Sequence, residues 1–292
     1  MDRILFGDNQ FFGINHMSEE KARIQAIRFK DTRAIIDVLD TAYGLGIKTF
    51  MCTTHDRITE ICDHIRANPE KYKDFEMYPC MPYAHKYNDA VTEKGLLGAL
   101  SSFAPGGMLE TLARGGMAAI TVDAIGIMKL LVDAEMKMFK GIPTKVIFLQ
   151  NVLTDLLMGM GFNEFFTAFA DYIKKKYNAE PGFITMNLPK ILEVLEICGI
   201  ENPIVCSSIN KIGFRMCGGK EAYEKVIREK KFRLIAMSVL ASGAISPKEA
   251  LEYVCSQKNI VSILFGASSR SNIKQTKELI EQLSSFYASN SK

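Results

Sequence analysis

The residues near the carboxyl terminus have the types and spacing of a phosphate-binding turn. An apolar run is followed by Gly266-Ala-Ser-Ser-Arg-Ser-Asn272 and then by an amphipathic segment over 273–283. This pattern predicts a buried strand, a turn and a helix. The turn would present backbone N–H groups, the hydroxyls of Ser268 and Ser269 and the cation of Arg270 at the positive end of a helix dipole, which suits an anion such as phosphate. An ordinary turn with Ser or Asn as helix cap is the alternative interpretation.

Three of the four histidines, His16, His55 and His85, follow three other apolar runs. Together with Asp8 or Asp56 they have the ligand types of a zinc or iron site, although no HxH or HxxxH spacing supports a metal. His55 and Asp56 would otherwise form a general acid/base pair. Each of these side chains on its own could equally cap a helix or satisfy a loop.

Further polar residues follow the apolar runs. Gln150 and Asn151 are candidates for the catalytic site, and Asn187, Asn210 and Ser238 for ligand binding. Lys211 is a candidate Schiff-base amine, a role that requires a desolvated site. The remaining polar residues after the runs are Asn9, Gln10, Thr53, Thr54, Tyr83, Ser208 and Ser242.

The elements that must position these residues alternate along the chain. Eight short apolar runs read as parallel strands buried on both faces, and helical patterns separate them. Eight strand–helix units favour a (β/α)8 TIM barrel over an open doubly wound sheet, and in such a barrel the active residues sit where strands end. The predicted strands are Arg3–Phe6, Lys48–Thr53, Phe75–Met81, Lys145–Gln150, Phe183–Asn187, Ile204–Ile209, Arg233–Val239 and Ile260–Phe265.

The segment between the third and fourth predicted strands departs from this rhythm. We expect a single domain over residues 1–292 with a helical insertion at 83–144. A Met- and Ala-rich helix is predicted over Asp123–Phe139. It would be an extra helix packed on the barrel, a lid over the mouth or a dimer surface, because Met adapts to irregular partners. A homodimer is therefore one expected assembly.

Composition narrows the possible functions. The chain has 292 residues, 48% hydrophobic and 24% charged, which allows a full globular core. A net charge of +3 with dispersed lysines and arginines does not indicate nucleic-acid binding. No apolar stretch reaches the length of a membrane span, and seven cysteines without CxxC spacing indicate free thiols, so we expect a cytoplasmic protein.

Several segments resemble the aldo-keto reductase family across the whole chain. Met237-Ser-Val-Leu-Ala-Ser-Gly243 is similar to the family's strand-seven segment, and 182–187 to its fifth-strand segment. Residues Ile263 to Thr276 resemble its strand-eight loop, which grips the adenosine phosphates of a nicotinamide dinucleotide. The resemblance implies NADP as cofactor, with Gly266, Ser268, Ser269 and Asn272 in the phosphate region and Asn210 near the nicotinamide.

The resemblance fails at the family's catalytic tetrad. Met51 stands at the Asp position, and the Tyr position falls near His55 or Asp56. The Lys position falls between Cys80 and Pro82, and Gln150 or Asn151 stands at the His position. Because the Tyr donates the proton and the Lys–Asp pair lowers its pKa, the family's acid chemistry does not carry over.

Three functions remain open from the sequence. The first is an atypical aldo-keto-reductase-like oxidoreductase that uses NADP and acts on a small molecule. The second is a non-redox hydrolase, lyase or isomerase of a phosphorylated compound, with or without a metal. The third is a non-catalytic ligand-binding or regulatory barrel.

Overall fold

Eight parallel strands close into one barrel, in chain order, and the last strand pairs with the first. The computed structural model describes residues 1–14, 17–83 and 124–290. The predicted TIM barrel is confirmed. The strands are β1 (Ile4–Phe6), β2 (Thr49–Thr53), β3 (Glu76–Met81), β4 (Val146–Leu149), β5 (Glu180–Thr185), β6 (Ile204–Ser208), β7 (Arg233–Met237) and β8 (Ile260–Phe265).

Helices connect the strands. Their bounds are α1 Glu19–Arg28, α2 Thr32–Gly44, α3 Asp56–Ala67, α4 124–136, α5 Asn151–Met160, α6 Asn163–Tyr172, α7 Leu188–Ile197, α8 Lys220–Glu229, α9 Pro247–Ser256 and α10 Arg270–Asn290. Ser246 caps α9 by accepting a hydrogen bond from Glu249 N, and Pro247 opens that helix, where its missing N–H costs no hydrogen bond. Within the described ranges no helix combines the length and apolar character needed to cross a membrane.

Strand β5 begins at Glu180, three residues before the predicted start at Phe183. Its pairing with β4 begins at Val146 opposite Glu180, so the polar first residue belongs to the strand. Asn187, predicted as the strand end, is instead the cap of α7, and its Oδ1 accepts a hydrogen bond from Lys190 N at 3.3 Å. The local cap interaction ends the strand earlier than the apolar pattern indicates.

Inward-facing side chains fill the barrel. The ring of Phe148 is fully buried there, and Gly182 on the neighbouring strand lies so close that a Cβ at this position would be 2.3 Å from the ring. Only glycine therefore fits beside Phe148. The buried interior cluster consists of Leu5, Met51, Tyr78, Cys80, Val146, Phe148, Ile184, Ile204, Cys206 and Ile235.

Helix α4 belongs to the part of the chain predicted as an insertion. Its Met128 and Val132 are fully buried in the outer core, whereas Leu130 is exposed. This packing agrees with a helix held on the barrel. Residues 84–123, which make up most of the predicted insertion, lie outside the described residues, so the lid and dimer-surface interpretations stay predictions.

Candidate functional site

The carboxyl ends of all eight parallel strands lie at one end of the barrel, here called the mouth. Asp8 follows β1 there and is almost fully buried. Its Oδ2 accepts two hydrogen bonds from Thr53, one from the backbone N–H and one from the hydroxyl, both at 2.7 Å. Burial raises the pKa of the Asp8 carboxyl, and the two bonds from Thr53 only partly oppose that rise.

His55 lies at the end of β2 in a fixed orientation. Its ring stacks on Phe12 with 4.1 Å between centroids and an interplanar angle of 11°. Its Nδ1 accepts a hydrogen bond from Arg57 N at 3.2 Å, which makes His55 the cap of α3. Asp56 is the exposed first residue of that helix.

Tyr83, after β3, completes this side of the mouth. Its ring centroid lies 6.2 Å from that of His55. Burial raises the pKa of the Tyr83 phenol, and the nearby carboxylates of Asp8 and Asp56 raise it further. Tyr83 therefore holds its proton near neutral pH, unlike a tyrosine whose pKa is lowered by a lysine.

Two carboxylates that the sequence patterns do not single out reach the same end of the barrel. Glu135, on α4, is only 3% exposed. It accepts a hydrogen bond from the Thr54 hydroxyl at 2.5 Å and from Tyr83 N at 3.1 Å. Glu135 thereby joins α4 to the ends of β2 and β3.

Asp155, on α5, repeats this arrangement at β5. It accepts hydrogen bonds from the Thr185 hydroxyl at 2.5 Å and from Met186 N at 3.0 Å. Burial raises the pKa of the Asp155 carboxyl. It is the one charged residue of α5, which is the signal by which the sequence could have revealed it. Gln150, just before α5, is buried, and Asn151 opens the helix.

The ends of β6 and β7 carry amide and hydroxyl groups that bind one another. Asn210 is fully buried; its Nδ2 donates to Phe214 O at 2.8 Å and its Oδ1 accepts from Phe214 N at 2.7 Å. The Ser208 hydroxyl donates to that of Ser238 at 3.2 Å. Asn210 therefore shapes the loop after β6 with its own amide.

The loop after β7 contains three non-glycine residues in the left-handed region. Ser238, Ala241 and Ser242 have φ values of 53°, 44° and 56°. Such conformations cost free energy and collect at functional sites. Ser238, a predicted ligand-binding residue, lies in this strained loop.

The turn after β8 is held against the start of the chain. Gln10 donates from Nε2 to Gly7 O at 2.8 Å, and its amide lies so close to Gly266 that a Cβ there would be 2.0 Å from Oε1. The Ser269 hydroxyl accepts a hydrogen bond from Asn272 N at 3.3 Å, as a helix cap does. Arg28, from α1, donates to Ser268 O at 2.6 Å.

Two cationic side chains therefore lie at the turn after β8. Arg270 opens α10, and Arg28 is supplied by a helix more than two hundred residues earlier in the chain. Neither makes an ion pair within the described residues. Together with the N–H groups of the first turn of α10, this forms a positively charged corner.

The structure places the predicted metal ligands only in part. His16 and His85 lie outside the described residues, and among the residues that are described no three acidic, His or Cys side chains group as metal ligands.

Lys211 is exposed and pairs with Glu249 at 2.6 Å. The Schiff-base interpretation of Lys211 is therefore wrong, since that role needs a desolvated amine.

Met51 stands at the position that the resemblance predicts for the family's Asp, and Cys80 stands at the edge of the stretch predicted for the Lys. Met51 and Cys80 point into the apolar interior of the barrel. Burial raises the pKa of the Cys80 thiol well above its usual range. Both side chains are therefore uncharged near neutral pH, and the absence of the family's tetrad stays a prediction.

The comparisons with known proteins agree with this architecture. No family model and no curated protein matches the chain. Among solved structures it is similar to PA4992 from Pseudomonas aeruginosa, assigned as an aldo-keto reductase, at 13% identity and a TM-score of 0.60, covering 97% of this chain and 90% of that one. It is also similar to an aldose reductase from Giardia lamblia, at 10% identity and a TM-score of 0.54, covering 98% and 92%.

A third similar structure is a mutant of Gox0644 in complex with NADPH, at 10% identity and a TM-score of 0.51, covering 97% of this chain and 89% of that one. Likeness at this level of identity concerns the fold. The chain therefore has the fold of the aldo-keto reductases over nearly its full length.

Proposed function

We propose that the chain is an oxidoreductase that binds NADP(H) at the mouth of the barrel and acts on a small molecule there. The observation that carries the proposal is the corner after β8, where Arg270, Arg28 and the amino end of α10 meet. A similar barrel has been solved with NADPH. Two guanidinium groups that make no ion pair within the described residues, beside helix N–H groups, suit a phosphate.

The residues present fit the phosphate end of this cofactor. Ser268, Ser269, Arg270 and Asn272 would hold the phosphates, since they line one turn and offer hydroxyl, guanidinium and backbone donors. The close approach of the Gln10 amide accounts for glycine at position 266, independently of any bound phosphate. The cofactor, when bound, supplies the hydride.

Proton transfer must use other groups than the family's tetrad. We assign it to Asp8, whose burial at the mouth raises its pKa and so lets the carboxyl keep a proton at higher pH than an exposed aspartate does. His55, fixed by Phe12 and by Arg57 N, is the second candidate, with Asp56 beside it. Gln150 is proposed to orient the substrate.

The alternative function, chemistry on a phosphorylated substrate without hydride transfer, would use the same charged corner. It is favoured by one observation: Met51 and Cys80, which the resemblance sets at the predicted Asp position and beside the predicted Lys position, are buried in the barrel interior. Under this alternative inorganic phosphate would bind at the corner and NADPH would not.

Fluorescence titration with NADPH tests the proposal. We expect saturable binding that Arg270→Ala weakens by about ten- to a hundredfold, since a hydrogen bond to a charged group contributes about 1.5–3 kcal/mol. Lys274→Ala is the matched control, because Lys274 lies on the same helix but pairs with Glu278. Absence of binding at high micromolar NADPH would refute the proposed function.

A further inference from the structure

The end of the barrel opposite the mouth, here called the amino end, is rich in lysine. It is built from the segments that precede the strands, which are 1–3, 45–48, 68–75, 137–145, 173–179, 198–203, 230–232 and 257–259. These segments contain thirteen lysine or arginine residues and four acidic residues, whereas the whole chain has 36 and 33. Cations that are dispersed along the sequence therefore gather at one end of the fold.

Local contacts account for only a part of this charge. All but the first of these segments follow the carboxyl end of a helix, where the negative end of the helix dipole stabilises a cation. Seven of the lysines also form ion pairs, as Lys230 does with Glu196. Five further lysines are exposed and make no ion pair within the described residues, so their charge is left for a partner. They are Lys137, Lys140, Lys174, Lys231 and Lys258.

A large apolar side chain lies at the same end of the barrel. Ile197 is the last residue of α7 and is 72% exposed. Lys230 reaches this end of α7, because it pairs with Glu196. An exposed apolar side chain beside a group of lysines is typical of surfaces that lie on membranes, where cations meet anionic headgroups and apolar groups enter the headgroup region.

The chemistry of the amino end favours lipid headgroups over a nucleic acid as the partner. Nucleic-acid phosphates are well matched by the planar fork of arginine, which binds them in a fixed geometry. Both arginines that begin strands or precede them here are engaged within the protein. Arg3 donates to Ser284 and to Ile260 O, and Arg233 pairs with Glu180. Lysines carry the remaining charge, and a flexible point charge suits mobile headgroups of mixed chemistry.

We propose that the amino end docks on an anionic lipid surface, with the five lysines against the headgroups and Ile197 inserted among them. In this orientation the mouth faces away from the lipid, so that the site described above stays open to small molecules. The proposal is independent of the proposed function, because it concerns the opposite end of the barrel.

Sedimentation with lipid vesicles tests this proposal. We expect the full chain to bind vesicles of phosphatidylcholine with phosphatidylserine, to release them at high salt and not to bind phosphatidylcholine alone. A variant with Lys137→Ala, Lys174→Ala and Lys231→Ala should bind about a hundredfold more weakly, since one lysine near an anionic surface contributes about fivefold. Ile197→Ser should bind about tenfold more weakly, because it removes the inserted apolar group.

A variant with Lys21→Ala, Lys30→Ala and Lys225→Ala is the matched control. It removes the same charge from exposed lysines that lie outside the amino end and are not among the ion-paired lysines of the described residues. It should bind the vesicles like the wild type, and both triple variants should melt within a few degrees of it.

Three results would overturn the proposal. The first is equal binding of the wild type to vesicles with and without phosphatidylserine, and the second is an equal loss of binding in the two triple variants. The third is tighter binding of the wild type to a DNA duplex than to the anionic vesicles, which would make the amino end a nucleic-acid surface instead.

Discussion

Carboxylates stand at both ends of the barrel, but their partners differ. At the amino end, Glu180 opens β5 and pairs with Arg233, which opens β7, at 2.5 Å. At the mouth, Asp8 and Asp155 have no cation partner within the described residues; each accepts hydrogen bonds from a threonine hydroxyl and a backbone N–H.

The partner decides how strongly each carboxyl holds its proton. The hydrogen bond and charge of Arg233 lower the pKa of Glu180. Burial raises the pKa of Asp8 and of Asp155, because neutral donors compensate the lost hydration only in part. The amino end therefore keeps its carboxylates ionised, whereas the mouth keeps carboxyls that can take up a proton more readily, which is the property an acid/base group needs.

The largest expected difference between the two ends is in stability. Glu135→Ala removes the buried acceptor of the Thr54 hydroxyl and of Tyr83 N and leaves both donors without their partner. We expect a loss of about 3 kcal/mol in the free energy of unfolding, measured by urea denaturation. Glu135→Gln, which keeps one carbonyl acceptor, should lose less than half as much. If Glu135→Ala costs no more than Glu180→Ala, the hydrogen bonds to Glu135 at the mouth contribute no more stability than the ion pair of Glu180 at the amino end.

The second difference is in pH dependence. The folded-state pKa of Asp8 lies above the unfolded value, so folding takes up a proton between the two values and stability falls as the pH rises through that window. Asp8→Asn cannot lose a proton and should remove this penalty. We expect it to gain stability relative to the wild type from pH 4 to pH 7, by about 1.4 kcal/mol for each unit by which burial raises the pKa.

Asp155→Asn is the matched variant, because its carboxyl has the same two kinds of donor and a pKa raised by the same cause. It should show the same pH signature. Turnover of NADPH should fall only in Asp8→Asn, by about a hundredfold or more, if Asp8 transfers the proton. A stability difference between Asp8→Asn and wild type that stays constant from pH 4 to 7 would contradict the raised pKa.

The sequence predicts the barrel better than it predicts the contacts at the mouth. The barrel follows from eight near-continuous apolar runs, and the cap at Ser246 from a polar residue placed before a proline. Periodicity does not tell which polar residue of a helix turns inward, so Glu135 is not recognised before the fold is known, whereas Asp155 stands out only as the one charged residue of α5. The contact between Arg28 and Ser268 joins residues 240 positions apart, which no local pattern reports.

The smallest expected effect lies at the amino end. Arg233→Ala removes the partner of Glu180, and because both side chains are partly exposed we expect a loss below about 1 kcal/mol that shrinks further at high salt. The wild-type pair contributes stability above the unfolded pKa of Glu180, and that contribution is lost as the pH falls through the lowered folded value. The variant should therefore lose less stability than the wild type on acidification, the opposite slope to the one expected of Asp8.

Lys190→Ala, which removes an exposed ion pair with Glu193 away from this end, is the control for a generic surface pair. Urea denaturation from pH 3 to 7 at low and high salt measures both variants. If Arg233→Ala and wild type lose stability in parallel on acidification, the pair does not lower the pKa of Glu180. The two ends of the barrel would then differ in the burial of their carboxylates and not in the partners that bind them.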